Sequence, residues 1–145
     1  LPTCHVKFGE ALAILAGDGL LTLAFEVLAT GYGPRTAAVS CAELARGAGA
    51  VGMVGGQVLD LTAENDLASV TRKGDEVLAE DSSPLRVTLA KNLEDIHRRK
   101  TGALFRSALR MGVFAAQAEA GVNPDALAAI DRYAAAFGLA FQVTD

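Results

Sequence analysis

The feature that most constrains the fold is the apolar stretch at residues 6–30, where Ala, Leu and Ile occupy nearly every helical face and leave no polar stripe. A helix with no side to turn toward water belongs at the centre of a bundle. Gly31-Tyr32-Gly33-Pro34 then supplies a helix stop and a turn. Aromatic residues make up only 6% of the chain while Ala and Leu abound, so the remainder leans helical as well.

Residues 35–63 predict a second helix carrying Gly47, Gly49, Gly52, Gly55 and Gly56, whose three- and four-residue steps clear one side for another helix. Tertiary packing would have to offset about 1 kcal/mol of backbone entropy per glycine. Residues 63–86 turn polar and predict a surface loop, with one short helix at 75–80. Helical periodicity resumes over 87–119, and Gly121-Val122-Asn123-Pro124-Asp125 makes a loop and a new N-terminus, with Asn123 as cap and Pro124 at the first helical position. The last helix runs from there to the chain end. With no strand-period segment and no fixed-period repeat, the expected fold class is all-α, a helical bundle.

Thirteen basic against 17 acidic side chains give a net charge of −4, which offers no field for nucleic acid or anionic membranes, although a local basic cluster can still hold a small anion. Lys7 and Glu10 interrupt any signal-peptide core. Glu10, Asp18 and Glu26 break the first apolar segment, and the uncharged run at 47–59 is shorter than the roughly 20 residues a bilayer requires, so no membrane span is expected. Two cysteines, Cys4 and Cys41, are too few for a disulfide scaffold and point to the reducing cytoplasm. The chain opens on Leu1-Pro2-Thr3 and closes inside a helical pattern, which reads as part of a longer protein.

Three places carry chemistry. Gln57 and Asp60 sit three apart on the glycine-rich helix, so they share a face, and their burial would demand a polar or cationic partner; the alternative is a helix end with Asp60 exposed to water. In His97-Arg98-Arg99-Lys100 successive residues rotate by about 100°, so the four cannot share one face, and Gly102 permits a kink that turns the Thr101 hydroxyl inward. Lys100 is a point charge suited to phosphate, against the alternative of a solvated basic face. Gln142 and Asp145 repeat the three-residue spacing, with a frayed helix end as the alternative for Asp145. One carboxylate does not make a magnesium site by itself, and His5 and His97 lack zinc-ligand spacing.

Taken together these segments resemble the trans-isoprenyl diphosphate synthases, the polyprenyl synthetase family that includes farnesyl and geranylgeranyl diphosphate synthases. The resemblance rests on Pro2-Thr3-Cys4-His5 with Phe8-Gly9-Glu10-Ala11 and Ala13-Ile14-Leu15-Ala16-Gly17-Asp18, and on Gly52-Met53-Val54-Gly55-Gly56-Gln57-Val58-Leu59-Asp60-Leu61. Lys100-Thr101-Gly102-Ala103-Leu104 and Gly138-Leu139-Ala140-Phe141-Gln142-Val143-Thr144-Asp145 complete it in the family's order.

The resemblance implies an isoprenoid-synthase bundle around a deep cavity, with Mg2+ ions at its mouth clasping the diphosphate of an allylic substrate that isopentenyl diphosphate then attacks. It implies that Asp145 is a magnesium ligand, that Lys100 contacts the allylic diphosphate, and that Thr101 and Gln142 lie beside the ionising carbon. Gln57 and Asp60 would point at the diphosphate–magnesium cluster and Phe141 would pack against prenyl carbons. Met53 is a candidate for the pocket wall, with an ordinary core methionine as the alternative. A cytoplasmic homodimer is the family's usual state.

The first Asp-rich motif should precede Leu1, and the second stops at its first Asp. Residues 1–145 therefore read as the central part of a single domain, incomplete at both ends and not expected to catalyse as they stand. The alternatives are a noncatalytic regulatory or structural subunit of the same family and a terpene cyclase-like enzyme.

Overall fold

The computed structural model describes residues 1–71, Ile96 and 98–144, and among them every regular element is helical. In chain order these are α1 (Cys4–Phe8), α2 (Glu10–Gly31), α3 (Pro34–Ala48), α4 (Met53–Thr71), a π-helical turn (Arg98–Gly102), α5 (Ala103–Ala116) and α6 (Pro124–Thr144). The chain divides into two compact units, Leu1–Ala42 and Glu43–Asp145.

In the first unit the helix expected over 6–30 is two helices. Gly9 separates them with φ of 87°, a backbone state that a side chain resists, and its N–H closes α1 on the His5 carbonyl at 3.0 Å. α2 has no residue buried within these 145 residues, so the central position expected of it is not seen in this unit. Leu12, Leu15 and Leu20 are all more than half exposed. Within this unit α2 spans 22 residues, and α1, which packs on it, has five. Cys41 directs its thiol at the Phe25 carbonyl at 4.0 Å, and both cysteines are free. By length and composition Glu10–Gly31 and Pro34–Ala63 are each apolar enough to cross a membrane, with mean hydropathies of 1.8 and 1.2. Interruption by charge therefore excludes less than expected.

In the second unit the glycine-rich segment also departs from expectation. Rather than one helix over 35–63, residues 49–52 form a turn between α3 and α4. The Gly52 N–H reaches the Gly49 carbonyl at 3.0 Å, and a Cβ on Gly52 would overlap the Gly47 carbonyl oxygen. The glycines thus let the backbone turn tightly here, and the helix is interrupted between Ala48 and Met53. α4 runs on to Thr71, so residues 63–71, expected as loop, are helical. The short helix expected at 75–80, and 87–95 of the next, lie outside the described residues.

α5 ends at Ala116, three residues before the expected end at 119, and turns lead to Gly121 with φ of 83°. The predicted start of α6 is found in place: Asn123 Oδ1 accepts the Asp125 N–H at 2.8 Å, while Gln117 Oε1 accepts the Asn123 N–H at 2.7 Å.

The core of this unit is built from small apolar side chains with Leu44, Ile96 and Phe114, and it contains a charge. Glu43 is 4% exposed and Ser107 1%. Ser107 Oγ lies 3.2 Å from both the Glu43 carbonyl oxygen and its Oε1, sharing one proton between them. Arg110 brings Nε within 3.3 Å of Glu43 Oε2, an ion pair without hydrogen-bond alignment, and donates through Nη1 to Asp131 Oδ2 at 2.8 Å. α3, α5 and α6 are tied together through these four residues. Gly47 belongs to the same joint, because a Cβ there would overlap Ser107 Oγ.

Candidate functional site

The site is assembled around the π-helical turn. A π-turn widens the helix by one residue and re-aims the side chains beyond it, which is the kind of distortion that Gly102 predicted. Arg98 and Arg99 stay exposed, whereas Lys100 and Thr101 are half-buried. The basic run is therefore split as its helical rotation required, and the solvated-face reading applies to only part of it.

Gly56 lets the turn come close. A Cβ at Gly56 would stand 2.5 Å from the Lys100 main-chain nitrogen, so α4 and the turn meet backbone to backbone. Asp60, one helical turn beyond Gly56, accepts from Lys100 Nζ at 2.6 Å, with side-chain exposures of 23% and 38%. The partner that Asp60 seemed to need is thus a protein cation 40 residues away, and the reading of Asp60 as a freely exposed helix end does not hold. On the other side α6 approaches, with a Cβ at Gly138 coming within 3.4 Å of the Gly102 Cα.

Between α4 and the start of α5 lies an open cavity of about 690 Å³, lined by Met53, Gln57, Lys100, Thr101, Phe105, Ala108 and their apolar neighbours. Gly47 faces Ser107 and Gly56 faces Lys100, so the two sides run antiparallel. That direction gathers Gln57, Lys100 and Thr101 toward one end and leaves Met53, Val54, Leu104, Phe105 and Ala108 for the hydrocarbon-like remainder. Phe105 makes edge contacts with Phe137 at 4.8 Å and Phe141 at 5.3 Å between ring centroids, which joins the cavity wall to α6.

Of the residues singled out from sequence, Met53, Gln57, Lys100 and Thr101 line the cavity directly. Asp60 reaches it through Lys100 and Phe141 through Phe105. Gln142 is in the last turn of α6, but its side chain and Asp145 lie outside the described residues. Phe105 was missed. The available signal was its position four residues after Thr101, on the same helical face. Among the described residues no three His, Cys, Asp or Glu side chains converge as metal ligands.

An apolar cavity with an ammonium, an amide and a hydroxyl among its lining side chains has the chemistry to receive an amphipathic ligand. Comparison with known proteins narrows the class of protein. The sequence model of the polyprenyl synthetase family matches residues 1–145. The farnesyl diphosphate synthase of Escherichia coli is 48% identical over 149 residues, covering all of this chain and 42% of that protein. Geranylgeranyl pyrophosphate synthase 3 of Arabidopsis thaliana is 36% identical, covering 99% of this chain and 35% of that one. The crystal structure of an FPP/GFPP synthase from Zymomonas mobilis superimposes with a TM-score of 0.73 at 33% identity, over 99% of this chain and 45% of that chain. The chain belongs to the polyprenyl synthetase family and has its isoprenoid-synthase helical fold. It spans less than half the length of each of these relatives.

Proposed function

We propose that the protein to which these residues belong is a prenyltransferase that condenses isopentenyl diphosphate with an allylic diphosphate, yielding a diphosphate of the farnesyl or geranylgeranyl type. Family membership supports this reading, and so does one observation above the rest: Lys100 and Thr101 stand together at the polar end of an apolar cavity. In this reading the two compact units are parts of one domain.

Lys100 binds the allylic diphosphate and, with Gln57 and Asp60, sets its position. Rupture of the allylic carbon–oxygen bond sends the electron pair to the departing diphosphate. The cation left behind is stabilised by the oxygen of Thr101, and the family resemblance assigns the same part to Gln142. The isopentenyl double bond attacks, and loss of a proton completes the extension. Phe141, Phe105 and Met53 enclose the prenyl carbons and keep out water that would trap the cation.

Mg2+, when bound, would neutralise the departing diphosphate. Asp145 is its proposed ligand. The described residues do not by themselves make a magnesium site, since Asp60 is engaged by Lys100 and no further carboxylate joins it. This fits an ion that is held by one or two carboxylates together with substrate phosphates, and no step above is routed through it.

A cytoplasmic homodimer completes the proposal. Two apolar or glycine-rich surfaces could carry the dimer, residues 39–56 and the adjoining apolar helix, and the second is favoured. Gly47, Gly52 and Gly56 are consumed by contacts within the chain, whereas α2 has no buried residue. We read α2 as a packing surface rather than a membrane span, because Asp18 falls near its middle.

Incorporation of isopentenyl diphosphate into an extended product by the full-length protein tests the reaction. Lys100→Ala should cost about 2–4 kcal/mol in kcat/KM for the allylic substrate, the scale of a lost charged contact in a closed site. Arg98→Ala should cost far less. Equal, near-native kinetics for both variants would return the basic run to a solvated face.

A further inference from the structure

We infer that Asp60 acts as a built-in stand-in for the anionic head of the ligand, parking the Lys100 ammonium when the cavity mouth is empty and yielding it when a diphosphate arrives. The inference rests on the proposed role of Lys100 in holding a diphosphate, and it gives Asp60 a different part from that of a direct ligand.

Three observations converge on it. Lys100 Nζ is 2.6 Å from Asp60 Oδ2, a direct charge-assisted contact. The Lys100 backbone is pressed against Gly56, so its main chain has little room to move and only the four-carbon side chain can redirect the charge. Lys100 lines the cavity with Gln57 and Thr101, whereas Asp60, one turn along α4, is not in its lining. The ammonium therefore sits between two possible anions, one belonging to α4 and one belonging to the ligand.

The pair is partly exposed, at 38% and 23%, and is consequently weak enough to break. A strongly buried pair would hold Lys100 permanently, and an unpaired lysine would leave the side chain free to wander. A neighbouring carboxylate of this kind orients the ammonium toward the mouth and lowers net affinity for the anion, which also speeds release of a charged product. Asp60 is thus a positioning residue that acts through Lys100.

The test is a double-mutant cycle on the full-length protein, titrated by calorimetry with inorganic diphosphate in the absence of divalent metal, so that coordination cannot contribute. Asp60→Asn should tighten diphosphate binding by about three- to fivefold, the scale of a partly exposed ion pair. In a Lys100→Gln background the same change should have less than about a twofold effect, because the two sites are coupled only through the ammonium. Asp60→Glu should restore the wild-type affinity.

An equal gain in both backgrounds would mean simple relief of negative charge and would overturn the inference. Weaker or unchanged binding in Asp60→Asn would overturn it as well. If Asp60→Asn does not fold, Asp60→Ala carries the same comparison. The underlying reading fails separately: it is lost if Lys100→Gln alone leaves diphosphate affinity unchanged, whatever Asp60 does.

Discussion

At Gly56 the absence of a side chain has a direct structural purpose, since the space a Cβ would occupy holds the main chain of Lys100. Backbone cannot rotate out of the way as a flexible side chain can. Gly56→Ala should therefore destabilise the fold by about 1–3 kcal/mol, the usual cost of overpacking. Gly112 offers the matched contrast within α5, because nothing lies within 4 Å of a Cβ placed there. Gly112→Ala should be neutral or stabilising by up to about 1 kcal/mol through helix propensity. Thermal melting of the two variants checks both signs, and a fall for Gly112→Ala equal to that for Gly56→Ala would refute the packing account. The same residue-level view covers Phe105, which lines the cavity four residues after Thr101 and joins it to α6 through Phe137 and Phe141.

Between helices, the joint of Glu43, Ser107, Arg110 and Asp131 ties α3, α5 and α6 at a point where hydrophobic packing alone would leave relative rotation open. Burial of Glu43 is tolerated because its carboxylate meets both a hydroxyl and a guanidinium. Glu43→Ala removes the acceptor and leaves Ser107 buried with part of its hydrogen bonding lost, beside an Arg110 deprived of one anion. The expected loss is about 3 kcal/mol in urea unfolding, toward the lower end for broken buried pairs because Arg110 keeps Asp131 and some solvent. Glu43→Gln retains an acceptor for Ser107 and should lose less. A midpoint unchanged in Glu43→Ala would show that the joint adds nothing to stability. Spacing along the chain does not reveal this joint, since Glu43 and Ser107 are 64 residues apart.

At the scale of the molecule, α2 is the longest helix among the described residues, and Leu12, Leu15 and Leu20 on it are more than half exposed. A soluble monomer seldom displays so much contiguous apolar surface. Burying it against a second copy accounts for the surface and agrees with the proposed homodimer. Light scattering on the full-length protein should give the mass of two protomers, and the pair Leu15→Glu and Leu20→Glu should reduce it to one. A single-protomer mass for the unmodified protein across micromolar concentrations would remove the dimer from the account.

The all-helical class, the stop after Gly31, the Asn123–Pro124 helix start and the family were all legible in the sequence, because each depends on local periodicity or on short motifs. Most of the candidate site was legible through those motifs too: Met53, Gln57, Lys100 and Thr101 were named from them and line one cavity. What the tertiary structure alone decided were the points where one local pattern permits two outcomes. A glycine-rich stretch can continue a helix or interrupt it, and at 49–52 the interruption arose because Gly52 could pack its backbone against the Gly47 carbonyl. An apolar helix can be central or peripheral depending on what covers it, which no residue of α2 encodes. Asp60 and Lys100, 40 residues apart, became a pair only through the approach that Gly56 allows. Sequence specifies the chemistry each residue can offer, and long-range packing selects which other residue receives it.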